Sequence, residues 1–367
     1  MHQKHPKLSR PSFGHYARTE FALVGSTCKY MEGLMEDWAA QFAPDYRTIT
    51  VTGKHDDSDV PVALRVDRKI FTTDRDDWNE YDDRLLAGTY DLAFVNGNHY
   101  PGARQIVFVD EKKAGTLERR REQLTDIFAV VNLDGGKGLP PWLKEMCKAQ
   151  PVPPILTTAS ILHHILDGIG KALEEARPRL HGLILAGGRS TRMGQDKSQL
   201  VYRQGQNEVE RLADLCRGLH VAPHVSVRNA EDAEAHSLPA VVDRFVDMGP
   251  AGAIASALMS QPDAAWLVLA CDLPLLDADT LEQLIDARRP DRFATAARGP
   301  GKEWPEPLVA IYEPRAYPRL LQFLGLGYSC PRKMLINSDV EVLELASSGP
   351  LTNVNTPEER DRILQRC

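Results

Sequence analysis

His181-Gly182-Leu183-Ile184-Leu185-Ala186-Gly187-Gly188-Arg189-Ser190-Thr191-Arg192-Met193-Gly194-Gln195-Asp196-Lys197 is the stretch whose reading decides the fold. Its first six residues read as a buried strand, and the strand runs directly into paired glycines. Adjacent glycines let the backbone turn sharply and bring bare N–H groups up to a ligand. Triphosphate oxygens only accept hydrogen bonds, so a concave run of donors suits them. Arg192 and Lys197 add fixed positive charge, which can offset negative charge developing on a leaving pyrophosphate. The string is not the Walker pattern, because the lysine follows Asp196 and no Gly-Lys-Ser/Thr occurs. A bare Gly-Gly would serve equally well as a turn between solvated charges, so the whole string has to carry the argument.

Read whole, it is Leu-Ala-Gly-Gly-x-Ser-x-Arg-Met-Gly-x-Asp-Lys over residues 185–197. This resembles the signature of the molybdenum cofactor guanylyltransferase (MobA-type) family of nucleotidyltransferases. The resemblance implies a Rossmann-like, nucleotide-diphospho-sugar transferase fold for this half of the chain. It also implies a GTP site built from Leu185, Ala186, Gly187, Gly188 and Lys197, with Lys197 and Arg192 acting on the phosphates and Mg²⁺ as cofactor.

The likeness continues downstream in family order. Asp243 closes the apolar run Ala240–Val242, and Asp247-Met248-Gly249-Pro250-Ala251-Gly252 then opens a helix. A carboxylate can accept from the N1–H and the exocyclic amine of guanine together, and the family places this aspartate near the base. A lone aspartate here would otherwise be a cap or turn former. Next, Trp266-Leu267-Val268-Leu269-Ala270-Cys271-Asp272-Leu273-Pro274 reads as a buried strand ending in an aspartate well placed to hold a metal. The resemblance gives Asp272 the magnesium that bridges the nucleotide phosphates, and Cys271 reads as a small buried neighbour. Thr352-Asn353-Val354-Asn355-Thr356-Pro357 matches the family segment that returns near metal and phosphates. Asparagine carbonyls suit a hard cation, while Thr356 and Pro357 can start a helix. Pro305-Glu306-Pro307-Leu308 resembles the stretch lining the acceptor pocket, and Ser329–Leu335 falls where the family has Ser-x-Arg-x-Leu-Leu. Arg332 and Lys333, with Asn353 and Asn355, are the acceptor candidates. An exposed basic helix face explains the first two equally well, and Pro331 departs from the family pattern. An asparagine that some relatives place near the base is not carried over to Arg228 or Asn229.

Working outward, 367 residues with 43% hydrophobic and 26% charged content fit a two-domain globular chain. The net charge of −7 has no lysine or arginine stripe to set against it, which argues against nucleic acid as a partner. No apolar run approaches the ~20 residues of a membrane span. The basic start MHQKHPKLSR is not followed by a signal-type segment. Six scattered cysteines imply neither disulfides nor zinc, which points to a reducing cytoplasm.

Both halves alternate short apolar runs with amphipathic helices, the pattern of two three-layer α/β/α domains with mainly parallel sheets. Strands are expected at 21–24, 48–52, 91–95, 105–109 and 127–131, then at 182–186, 224–228, 240–242, 266–270, 293–296 and 308–312. A helix over Thr158–Ala176, carrying Ile161, Leu162, Ile165, Leu166, Ile169 and Leu173, ends the first domain. The boundaries are a tail 1–19, a domain 20–178 and a domain 179–367.

Residues 20–135 resemble the P-loop GTPase-like partner protein (MobB-type) of these guanylyltransferases. Gly25-Ser26-Thr27-Cys28-Lys29 follows the first strand, and Tyr90–Gly97 is similar to the partner's Tyr-Asp-Leu-x-x-Val-Glu-Gly. Counted from Gly25, however, the Gly, Lys and Ser/Thr positions hold Tyr30, Met31 and Glu32, and Asn96 replaces an acidic residue. The resemblance therefore implies a fused, degenerate P-loop-NTPase-like domain that does not hydrolyse triphosphate. Asp74, Asp76, Asp77, Asp82 and Asp83 read as a solvated loop and helix start.

The implied reaction is transfer of GMP from GTP to a molybdopterin-type acceptor with release of pyrophosphate. Two rivals stand beside it: a cytidylyl- or sugar-nucleotidyltransferase on the same fold, and a non-catalytic cofactor carrier. By resemblance the Gly187-Gly188 pair favours guanine, since cytidylyl relatives commonly read Ala-Gly at that point, while intact Lys197 and Asp272 speak against the carrier. A second copy of the chain and other molybdenum-cofactor proteins remain open as partners.

Overall fold

The computed structural model describes residues 8–53, 62–66, 69–73, 80–134, 138–186, 201–203, 206–354 and 359. Two compact units divide the chain: Ser12–Arg177 is one, and the segments Met1–Pro11 and Pro178–Cys367 make the other.

The first unit is built on a six-stranded sheet of β1 (Thr19–Val24), β2 (Thr48–Val51), β5 (Leu92–Asn96), β6 (Arg104–Val109), β7 (Ile127–Asn132) and β8 (Ile155–Thr158). Its order is β2-β5-β1-β6-β7-β8, and every pairing is parallel. A separate hairpin is formed by β3 (Val62–Val66) and β4 (Lys69–Thr73). The helices are α1 (Cys28–Phe42), α2 (Glu80–Ala87), α3 (Ala114–Arg119), α4 (Pro141–Ala149) and α5 (His163–Glu175). Alternation along the strands sends Phe21 and Leu23 to one face, where they meet Met31, Met35 and Trp38 of α1 and Ile165, Ile169 and Leu173 of α5. Val24, Val107 and Val109 go to the other face, against Leu117 and Leu143. The sheet is thus covered on both sides.

The helix expected from Thr158 starts later. Ile155–Thr158 pairs with β7 as the sheet's last strand, and the chain turns at Ile161, which is 38% exposed, before α5 begins at His163. Asp82 and Asp83 lie on α2 as expected, whereas Asp74, Asp76 and Asp77 fall outside the described residues.

The second unit carries a seven-stranded sheet of β9 (Arg179–Leu185), β12 (Ala222–Val227), β13 (Ala240–Val242), β14 (Ala264–Ala270), β15 (Ala294–Arg298), β16 (Val309–Tyr312) and β17 (Val340–Glu344). The order is β13-β12-β9-β14-β16-β15-β17, with β16 antiparallel to both neighbours and the other pairings parallel. A short ladder joins β10 (Val201–Arg203) and β11 (Gln206–Asn207). The helices are α6 (Glu208–Gly218), α7 (Ala230–Ala233), α8 (Pro250–Ser260), α9 (Ala278–Asp286), α10 (Ala316–Gly325) and α11 (Pro331–Ile336). Ile184, Leu267 and Leu269 face α6 and α9, while Leu183, Trp266 and Val268 face α8, α10 and α11. Every residue of the central strand β14 is buried, and its Trp, Leu and Val side chains each contribute ~1.5–3 kcal/mol of burial. Among the described residues, no helix is long and apolar enough to cross a membrane.

Candidate active site

Because β9, β12, β13 and β14 run parallel, their carboxyl ends emerge on one edge of the sheet, where ligands bind in folds of this kind. That edge delivers Leu185 and Ala186 from β9, Arg228 from β12, Asp243 from β13 and Asp272 from β14. The glycine loop leaves from the same end of β9. Its residues Gly187, Gly188, Arg192 and Lys197 lie outside the described residues, as does Asn355.

Asp272 is half-buried, two residues beyond the end of β14. Its carbonyl oxygen accepts from the Val354 N–H at 2.9 Å, which pins the exposed Asn353 and the buried Val354 against the metal candidate. The turn after it is held from below. Arg211 on α6 donates to the carbonyls of Leu276 at 2.7 Å and Leu273 at 3.1 Å, and its charge is met by Glu208 at 2.8 Å. Both side chains are nearly withdrawn from solvent, 10% and 1% exposed. An i,i+3 pair of this kind looks in sequence like any solvated helix pair, so this support was missed.

Asp243 is positioned by its own backbone, whose N–H donates to the Val227 carbonyl at 2.9 Å. The buried Ser226 hydroxyl approaches its carboxylate at 3.5 Å. Burial raises the Asp243 pKa, opposed by the Ser226 hydrogen bond and the positive charge of Arg228. The following turn is fixed through Ser256, whose hydroxyl accepts from Arg244 N–H at 2.8 Å and donates to the Gly252 carbonyl at 2.7 Å. Two glycines are required here. Gly249 has φ +59°, and a Cβ on Gly252 would stand 2.3 Å from the Phe245 carbonyl oxygen. Arg228 pairs with Asp247 at 2.5 Å, and Asn229 caps α7 by accepting from Asp232 N–H at 3.0 Å. Both residues thus have structural partners.

The antiparallel β16 brings the acceptor-side segment to the same edge. Leu308 accepts from Ala270 N–H at 3.3 Å, and Glu306 N–H donates to the Ala297 carbonyl at 2.7 Å. Arg332 donates through Nε to the Pro305 carbonyl at 3.2 Å and through Nη2 to Glu306 Oε2 at 3.0 Å. Burial pushes the Glu306 pKa up and the nearby Asp272 charge adds to this, against the lowering effect of Arg332. Lys333 goes elsewhere: its Nζ sits 4.6 Å from the Tyr328 ring centroid. The two basic acceptor candidates are therefore separated, and of the pair only Arg332 joins the carboxylate group. Pro331, the departure from the family pattern, is the first residue of α11, where its missing N–H costs nothing.

Among the described residues, no group of three or more His, Cys, Asp or Glu side chains could hold a metal ion. A cation at Asp272 would rest on one carboxylate together with neutral oxygens and phosphate, the donor set in which Mg²⁺ keeps few protein ligands.

In the first unit, the loop after β1 is only residues 25–27 long, because α1 starts at Cys28 with Thr27 as its cap. Tyr30, Met31 and Glu32 are consequently helix residues, and Met31 is core. The two unusual positions of the motif meet each other: Asn96 Nδ2 donates to Glu32 Oε1 at 3.0 Å, and the Thr52 hydroxyl donates to the same oxygen. An acidic residue at 96 would instead set two carboxylates side by side.

A mixed sheet that gathers strand-end carboxylates around the exit of a glycine-rich loop defines the second unit as a nucleotidyltransferase domain. Residues 182–341 match the model of the MobA-like NTP transferase domain. A protein from Pseudomonas putida named molybdenum cofactor guanylyltransferase is 32% identical over 189 residues, covering 51% of this chain and 98% of that one. The molybdenum cofactor biosynthesis bifunctional protein of Synechocystis is 31% identical over 202 residues, 54% of this chain; the match spans 58% of that protein's length. A solved structure, molybdopterin-guanine dinucleotide biosynthesis protein A from Archaeoglobus fulgidus, aligns with TM-score 0.44 and 21% identity over 51% of this chain and 98% of that one. The chain belongs to the MobA-like NTP transferase family.

Proposed function

We propose that the second unit is a magnesium-dependent guanylyltransferase that moves GMP from GTP to a molybdopterin-type acceptor. The observation that carries the reading is the convergence of Asp243, Asp272 and the Asn353–Val354 backbone on the edge from which the glycine loop leaves. The names of the relatives supply the nucleotide and the acceptor class.

The acceptor's terminal phosphate attacks the α-phosphorus of GTP, the bond to the bridging oxygen breaks, and pyrophosphate leaves. Asp243 accepts from the N1–H and amine of guanine. Backbone N–H groups at Gly187 and Gly188 cradle the phosphates, while Arg192 and Lys197 neutralise the leaving pyrophosphate. Asp272 and the side-chain carbonyls of Asn353 and Asn355 would hold Mg²⁺, which would supply charge neutralisation across the phosphates. Arg332 meets the acceptor's phosphate. No covalent intermediate is needed, so the chain's work is positioning and electrostatics.

The first unit is read as a P-loop-like domain without triphosphatase activity. Its strand order, with β1 between β5 and β6, supports the P-loop-like ancestry. The three-residue loop and the Glu32–Asn96 bond support the loss of phosphate binding. The bifunctional name of the Synechocystis relative is in keeping with a fused pair of functions.

Binding of GTP, CTP and ATP to the full chain with Mg²⁺, measured by calorimetry, tests the nucleotide assignment. GTP preference is expected. Preference for CTP would overturn the guanylyl reading, and no binding of any of them would overturn the enzyme reading.

A further inference from the structure

We propose that Glu306 is the positioning residue of the acceptor site, holding the Arg332 guanidinium at the Asp272 edge in the orientation that receives the acceptor's phosphate. This rests on the guanylyltransferase reading above, but Glu306 itself is assigned by local geometry.

Four contacts fix Glu306 within a short stretch of chain. Its N–H donates to Ala297 at the end of β15, its carbonyl accepts from Val309 at 3.3 Å, and Oε1 accepts from the Leu308 N–H at 3.4 Å. Oε2 then accepts from Arg332 at 3.0 Å. Its side chain is 21% exposed, against 45% for Arg332. The carboxylate is therefore anchored on sheet backbone, while the arginine is a long, flexible side chain on the short helix α11. A rigid partner of this kind removes rotamer freedom that the arginine would otherwise lose on binding.

The geometry also selects which face of the guanidinium is offered. Nε goes to the Pro305 carbonyl and Nη2 to Glu306, and these contacts leave Nη1 uncommitted among the described residues. A planar guanidinium held at two of its nitrogens can still present the third to a phosphate oxygen. A lysine would offer its donors from a single nitrogen without the fixed planar fork, and neighbouring Lys333 is turned to Tyr328.

Steady-state kinetics of the full chain with GTP, Mg²⁺ and molybdopterin test the assignment, using Glu306→Gln, Glu306→Ala, Arg332→Ala and the double variant Glu306→Ala/Arg332→Ala. Glu306→Ala should raise the acceptor KM about tenfold, the loss of one charge-assisted hydrogen bond at a partly exposed site. GTP KM should stay within about twofold. Glu306→Gln keeps the shape and one acceptor oxygen and should recover part of the loss. The double variant should be no worse than Arg332→Ala alone, because Glu306 acts through the arginine. Equal rises in both KM values, unchanged acceptor KM in Glu306→Ala, or additive effects in the double variant would overturn the proposal. Absence of transfer in the unmodified chain would instead overturn the guanylyltransferase reading, so the two failures are distinguishable.

Discussion

Replacing Arg211 by methionine should be among the most damaging single changes in the second unit, although Arg211 touches no substrate. Its guanidinium makes two hydrogen bonds to the carbonyls of the turn after Asp272 and pairs with Glu208, which is 1% exposed. Methionine fills much of the volume but leaves a buried carboxylate without its cation. Breaking a buried pair from one side costs about 3–5 kcal/mol, and the two orphaned carbonyls place this case towards the upper end. Changing Glu208 to leucine in the same chain removes the stranded charge and should restore about half of the loss, since the Leu273 and Leu276 carbonyls stay unpaired. Amide exchange across a guanidinium series, followed in peptides covering β14 and its turn, reads this unit separately from the other. The same peptides should show faster local opening at 272–276. A stability within about 1 kcal/mol of the unmodified chain would refute the argument that this pair holds the turn.

Gly252→Ala should cost about 1–3 kcal/mol in denaturant melts, because the new methyl meets the Phe245 carbonyl oxygen and the 245–249 turn must shift; GTP affinity should fall with it, and a silent variant would contradict the close approach. Asp243 keeps its proton to higher pH in the folded chain than in the unfolded one. The folded state therefore binds more protons in the window just above the ordinary carboxylate range, and this group's contribution to stability declines as pH rises through it. Asp243→Asn should flatten that segment of the stability–pH curve and weaken GTP binding, whereas an unchanged curve would argue against burial as the cause. His181 packs tilted and His224 edge-on against Trp266, at centroid distances of 5.4 and 5.1 Å, and burial lowers both pKa values. The unfolded chain then binds the extra protons, so stability is lost as pH falls through the normal histidine range, and His181→Phe should reduce the loss measured by melts between pH 7 and 5.

Much of the second unit could be read from its residues because its central strands are continuous apolar runs closed by a single carboxylate. Trp266–Ala270 before Asp272 and Ala240–Val242 before Asp243 read as strands, although the residues alone leave each aspartate open as a turn former. Edge elements were less legible. Val340–Glu344 mixes apolar and acidic residues and packs only at the margin of the sheet, and Ile155–Thr158 carries no strand signal of its own, while Ile161 and Leu162 continue the spacing of α5 and draw the expected helix start back to Thr158. The supports of the site were not legible at all. Whether Arg211 or Arg332 is a solvated charge or a tether depends on carbonyls and carboxylates far along the chain, at 273, 276, 305 and 306. Sequence spacing carries no record of such contacts.

The most direct test of the central claim supplies the full chain with molybdopterin, Mg²⁺ and GTP labelled at the α-phosphate, beside the Asp272→Asn variant. The account predicts label transferred to the pterin with an equal yield of pyrophosphate in the unmodified chain, and a loss of at least ~10²-fold in the variant at unchanged fold. Near-normal transfer by Asp272→Asn, or label moved from CTP in preference to GTP, would contradict it.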